Sequence, residues 1–253
     1  MTRKGLKIPV AIASSSLRFR DSYHIPEGVG IGPHSSAFEA FLRNWFSDTR
    51  ALTHGELDLS FLQELTSDEL ATARELIRRN LRLGQVHIIQ GAAALRDTEA
   101  LPVLRAMLEA EDNASKRLTI AGALWNLQRD PVFITCLERA KKAGGRTLAA
   151  HLYDVLWLDD ERALDFLIDL LDQRDAVVQT FVLSLLNELE FGRQAVLAAR
   201  ILPRQPNDYR DRRSDPAFRN LMTAAIRKVN REKKGGMSFG WSEWPVFEPP
   251  QGT

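Results

Sequence analysis

A chain of 253 residues that is 44% hydrophobic and 26% charged is able to bury a continuous core and lies outside the composition of disordered proteins. Its formal net charge of +1 points away from both a strongly nucleic-acid-seeking protein and an acidic chaperone. The average hides a gradient: residues 51–192 hold 15 Lys and Arg against 23 Asp and Glu, whereas residues 193–234 hold 12 against 4.

One cysteine, Cys136, excludes an internal disulfide and a multi-cysteine zinc site. Its apolar neighbours predict a buried thiol rather than a nucleophile. No signal peptide is read in the first residues, because the apolar run from Ile8 to Ala13 is short and Arg18 and Arg20 follow it closely. No run approaches the roughly 20 apolar residues of a membrane helix. These features predict a cytoplasmic protein.

The N-terminal cap, residues 1–56, is rich in loop. Residues 20–36, RDSYHIPEGVGIGPHSS, read as loop, after one short β segment around Ile8 to Ala13. The glycines of GVGIGP lack the Lys-Ser or Lys-Thr pair of a phosphate cradle, and Pro33 removes a backbone donor. Ser36 with Glu39 predicts a capping box for a helix to about Phe46, with Phe38, Phe41, Leu42 and Trp45 on one face. That face is expected to close the end of the array that follows. Thr66 with Glu69 opens a second helix, about Ser67 to Leu81, with Leu70, Ala73, Leu76, Ile77 and Leu81 as its buried stripe.

From Gln85 to about Glu190 the chain repeats itself. Leu95, Leu127, Leu158 and Leu189 recur every 31 or 32 residues, and seven positions before each stand Ile88, Ile120, His151 and Val182. This spacing predicts stacked helical pairs, each too small to bury its own apolar face. A first helix ends near each leucine, and Asp97, Asp130 and Asp160 cap the second helices. Those helices are expected at about Thr98 to Ala110, Pro131 to Ala143 and Glu161 to Leu171, with a fourth at Phe191 to Ile201. Gly144 and Gly145 are expected to end the second of them.

The segments DTEALPVLRAMLEAED and DERALDFLIDLLDQRDAVVQ, with the alanine-rich first helices, resemble HEAT-like repeats of the short, roughly 30-residue kind. The resemblance covers about Leu57 to Leu202. It implies an all-α fold: an α-solenoid of helical pairs over residues 57–202, with second helices lining a concave face and a role in holding other macromolecules. One departure is Gln179, where the family usually has a basic residue after the paired valines. The iron-binding His-Glu dipeptides of HEAT-like hydroxylases are absent from this sequence.

Residues 203–234 form a basic segment. PNDYRDRRSD reads as a polar loop, and Asp215 with Pro216 begins a last helix to about Glu232, with Phe218, Leu221, Met222, Ala225 and Ile226 inward. The tail, residues 235–253, carries Phe239, Trp241, Trp244 and Phe247 and is expected to dock back on the array.

Chemistry-bearing residues are sparse. His24, His34, His54, His87 and His151 show no metal-ligand spacing, and His151, standing where sister units carry Ile or Val, reads as a core or inter-unit histidine. No catalytic residue, metal or cofactor is expected. Trp157 occupies a position held by Ala94, Asn126 and Glu188 in other units, which predicts partial exposure. HEAT-like DNA glycosylases hold a damaged nucleotide with such tryptophans, but the acidic central units argue against that role. Glu161, Asp165 and Asp169 fall four residues apart on one helix side and predict an exposed acidic ridge. The expectation is a non-enzymatic scaffold that binds a basic protein through Trp157, Glu161, Asp165 and Asp169, as an adaptor, an inhibitor or a bacterial immunity protein. The alternative is nucleic-acid binding through Arg212, Arg213, Arg227 and Lys228.

Overall fold

The computed structural model of the chain describes residues 19, 22–29, 33–47, 59–143, 148, 151–173, 175–192 and 204–232. The elements among them are helical, with no strand among the described residues. The β segment at Ile8 to Ala13, the Gly30 and Gly32 part of the glycine run, His54, Gly144 with Gly145, most of the fourth second-helix and the aromatic tail lie outside the described residues. No helix among the described residues is long and apolar enough to cross a membrane.

Helix α1, Ser36–Leu42, continues through a π-helical turn, Arg43–Ser47. Its predicted face is buried: Phe38, Phe41, Leu42 and Trp45 are at most 1% exposed. The cap differs from the expected one. Ser35 rather than Ser36 accepts from the Phe38 N–H, and the carboxylate that bonds the Ser35 backbone N–H, at 2.9 Å, is Glu69 of the next helix. Helix α2, Ser67–Asn80, begins with the predicted capping box of Thr66 and Glu69. Glu69 therefore joins the starts of two helices. Helix α3, Val86–Ala94, approaches α1 and α2 at Gly91, where a Cβ would stand 2.6 Å from Trp45 Nε1 and 2.7 Å from an Ile77 methyl.

The repeat then appears as helices α4, Leu101–Ala110, α5, Ala114–Gln128, α6, Val132–Ala143, α7, Leu152–Val155, α8, Glu161–Leu170, and α9, Ala176–Phe191. Helix α3 packs on α5, α5 on α4 and α6, and α9 on α7 and α8. Asp97, Asp130 and Asp160 each accept a backbone N–H two residues on, as expected of caps. Before each cap stands a residue in the left-handed region: Arg96, Arg129 and Asp159, with φ of 51°, 60° and 62°. None is glycine, so composition gave no sign of this shared turn. Phe191 belongs to α9 instead of opening another helix.

The unusual Gln179 does what its counterpart Arg117 does without charge. Arg117 donates to the carbonyls of Leu108 and Glu111, and Gln179 Nε2 donates to those of Leu171 and Gln173. Both tie a first helix to the turn before it.

The segment expected as a polar loop is partly helix α10, Pro206–Asp211, whose Tyr209 is fully buried. Helix α11, Pro216–Glu232, packs on α8 and α9. Phe218, Met222 and Ile226 are buried as expected, whereas Leu221 is 50% exposed. Cys136 is buried, and burial pushes its thiol pKa up.

Backbone hydrogen bonds from Thr66 and Ser35 hold the Glu69 carboxyl down at about 2, against an ordinary 4.5. Its contribution is therefore full above about pH 4.5 and disappears as pH falls toward 2. Glu69→Gln is expected to lower the melting temperature at neutral pH, with the gap to wild type closing between pH 4.5 and 2. Melts across that range read the outcome.

Candidate functional site

The acidic stripe on α8 forms as predicted but does not face open solvent. Helices α10 and α11 are anchored by Tyr209, Phe218, Met222 and Ile226, each at most 1% exposed, and this anchoring brings two arginines onto the stripe. Arg213 donates to Asp169 at 2.6 Å and stands 3.3 Å from Asp165. Arg219 forms two bonds to Asp165, at 2.9 and 3.1 Å, and also bonds Glu161. Lys141 of α6 reaches the second oxygen of Asp169 at 2.9 Å. Asp165 is held below the usual carboxylate range by hydrogen bonds from Arg219, with burial opposing and the charges of Arg219 and Arg213 assisting.

The expectation of an open acidic ridge is corrected accordingly: Asp165 and Asp169 are only about one-third exposed, and Glu161 alone stays mostly in solvent. The like charges on α8 are separated by cations from a distant part of the chain.

The basic candidates divide. Arg212 stacks over Phe218, 4.2 Å from the ring centre, and donates to Glu190 at 2.7 Å. Glu190 also takes a bond from Arg204 at 2.8 Å. Burial opposes ionisation of Glu190, yet the bonds from Arg204 and Arg212 outweigh it and keep its pKa low. Arg212 and Arg213 are thus turned to the chain's own carboxylates. Arg227 and Lys228 are exposed, and Arg227 lies 3.3 Å from the Asp159 carbonyl.

Trp157 is half-buried, in accord with its irregular repeat position. Its carbonyl accepts from Trp125 Nε1 at 2.7 Å and from Arg129 at 3.1 Å. Its ring lies where a Cβ on Gly122 would stand, and Phe133 packs between the Trp125 and Trp157 rings at 6.0 Å from each. Arg129 and Arg162 sit 5.4 and 5.6 Å from the Trp125 ring centre. With Arg227 at Asp159, three exposed arginines surround one aromatic edge. Sequence reasoning identified Trp157 but not this rim, because its arginines come from the turn after α5, from α8 and from α11.

A second grouping went unread in the sequence. Helix α5 starts at the Asn113 cap, which sets Ser115 in its first turn, exposed. Ser115 Oγ lies 2.9 Å from His151 Nε2, and His151 Nδ1 lies 2.7 Å from Asp154 Oδ2. His151 and Asp154 are 8% and 6% exposed. His151 is thus an inter-unit histidine, as expected, with a hydroxyl on one ring nitrogen and a carboxylate on the other. The available signal was the lone histidine in an Ile/Val column. Among the described residues no group of three or more His, Cys, Asp or Glu could hold a metal ion.

No family model, curated protein or solved structure matches this chain.

Replacing Asp165 and Asp169 together with Lys sets like charges against Arg213, Arg219 and Lys141. The loss is expected to be on the order of 1–2 kcal/mol after solvent screening, about 2–8 °C in melting temperature. An unchanged or raised melt contradicts the ion-pair assignment. Gly122→Ala drives a methyl into the Trp157 ring and is expected to cost roughly 1–3 kcal/mol by overpacking, read by denaturant titration.

Proposed function

We propose that the chain is an α-solenoid of HEAT-like helical pairs serving as a protein-binding scaffold, in the role of an adaptor or an immunity-type inhibitor. In this reading recognition centres on the Trp157 edge with Arg129, Arg162 and Arg227. The observation that carries it is the charge arrangement. The acidic stripe of Glu161, Asp165 and Asp169 is already matched by Arg213, Arg219 and Lys141, while the tryptophan edge is rimmed by exposed guanidinium groups, of which Arg162 pairs with Asp160 and Arg129 and Arg227 bond backbone carbonyls. A basic partner at the stripe would have to displace arginines held by buried aromatic and aliphatic anchors. An acidic segment of a partner protein fits Arg129 and Arg227, whose hydrogen bonds go to backbone carbonyls, better. Tryptophan and arginine are also the side chains that most often dominate binding energy at protein interfaces.

A second reading is nucleic-acid binding at the same edge. It is supported by Arg227 and Lys228, which remain exposed while Arg212 and Arg213 turn inward. Aromatic edges flanked by arginine suit stacked bases and phosphates.

The test is affinity capture from native-host extract by wild type and by the Arg162→Glu, Arg227→Glu double variant, both checked for an unchanged melt. The scaffold reading expects a captured protein whose affinity falls about tenfold or more in the variant, with association slowed most at low salt. Retention of DNA or RNA by the wild type at low salt, lost in the variant, would favour the second reading. A captured protein bound equally by both would remove the tryptophan edge from the proposal.

A further inference from the structure

We infer that Ser115, His151 and Asp154 form a nucleophilic site that accepts the acyl group of small, activated carboxylic esters. This goes beyond the binding reading and does not depend on it.

The geometry meets each requirement for an activated serine. The hydroxyl is within hydrogen-bond reach of a ring nitrogen, and the opposite nitrogen is held by a carboxylate. Asp154, three residues on in α7, fixes the ring so that Nδ1–H points to its carboxylate and Nε2 is left to accept from Ser115. Asp154 is a positioning residue; Ser115 and His151 are the reacting groups. Burial of the histidine and aspartate with exposure of the serine places the hydroxyl where a substrate in solution reaches it.

The step balances without any further reagent. Ser115 Oγ attacks the ester carbonyl carbon while its proton passes to His151 Nε2. The carbon–oxygen bond to the leaving alcohol breaks, and His151 returns the proton to that oxygen. Water then repeats the sequence, releasing the carboxylic acid and restoring Ser115.

The same turn limits the substrate. The backbone N–H groups of the nucleophile's own residue and of Lys116 after it are both held by Asn113 Oδ1, at 3.0 and 3.1 Å. They do not stand ready for a developing oxyanion, a device whose loss typically costs 100- to 1,000-fold in rate. Esters with a good leaving group, such as aryl esters, tolerate that loss; amides and peptides do not.

The experiment uses the full chain with a biotinylated alkyl fluorophosphonate, in which Ser115 Oγ displaces fluoride from phosphorus, and with p-nitrophenyl acetate. One covalent adduct mapping to Ser115 and slow esterase turnover are expected in wild type, and both should vanish in Ser115→Ala. His151→Gly should label at least 100-fold more slowly and recover in added imidazole. Asp154→Asn should lower the maximal labelling rate while leaving the saturation constant near that of wild type. Circular dichroism confirms that each variant is folded, and an unfolded His151→Gly is replaced by His151→Gln, expected to be equally slow. No adduct, an adduct on another residue, esterase activity surviving Ser115→Ala, or labelling of a folded His151 variant at the wild-type rate each overturns the proposal.

Discussion

A short amphipathic helix cannot cover its own apolar face, and the described helices of this chain depend on neighbouring helices for that cover. Helix α5 is the clearest case: Leu118 through Trp125 are all buried, which requires α3 on one side and α4 and α6 on others. At the C-terminal side the cover for α8 and α9 comes from α11, a helix outside the repeat. Its side chains Phe218, Met222 and Ile226 fill that role, and Tyr209 of α10 assists. Hydrophobic burial of this kind is non-directional and large, so it sets where the charged residues of residues 204–232 must lie.

The electrostatics follow from that placement. The acidic excess of residues 51–192 and the basic excess of residues 193–234 are equal in size and opposite in sign. Arg204, Arg210, Arg212, Arg213 and Arg219 all pair with carboxylates on or just after α8 and α9. Such partly exposed pairs contribute little individually, but they relieve the repulsion that three carboxylates four residues apart would otherwise create on α8. A surface that reads as an acidic binding ridge in the sequence is a neutralised seam in the folded chain. Exposed guanidinium groups also line the tryptophan edge, where Arg162 pairs with Asp160 at 2.6 Å and Arg129 and Arg227 bond backbone carbonyls.

Helix packing also brings the serine, histidine and aspartate together. Ser115 and His151 are 36 residues apart, so their meeting depends on the tertiary packing of the helices that carry them. Neither residue stands in a motif. His151 was visible only as the polar member of a column of isoleucine and valine.

The sequence by itself determined several helices and their approximate limits, because those depend on neighbours a few residues away. Capping residues at Thr66, Asp97, Asp130, Asp160 and Asp215, and the leucine spacing, located α2, α4, α6, α8 and α11 to within a few residues. Local pattern also marked Trp157 as a residue out of keeping with its repeat column. It misread residues 206–211, since the helix there is short and polar apart from Tyr209, and its burial comes from distant packing. Which charges meet was decided by tertiary structure alone. Glu69 bonding Ser35, Arg219 bonding Asp165 and His151 meeting Ser115 join residues 34 to 54 positions apart, and helical periodicity carries no information across such distances.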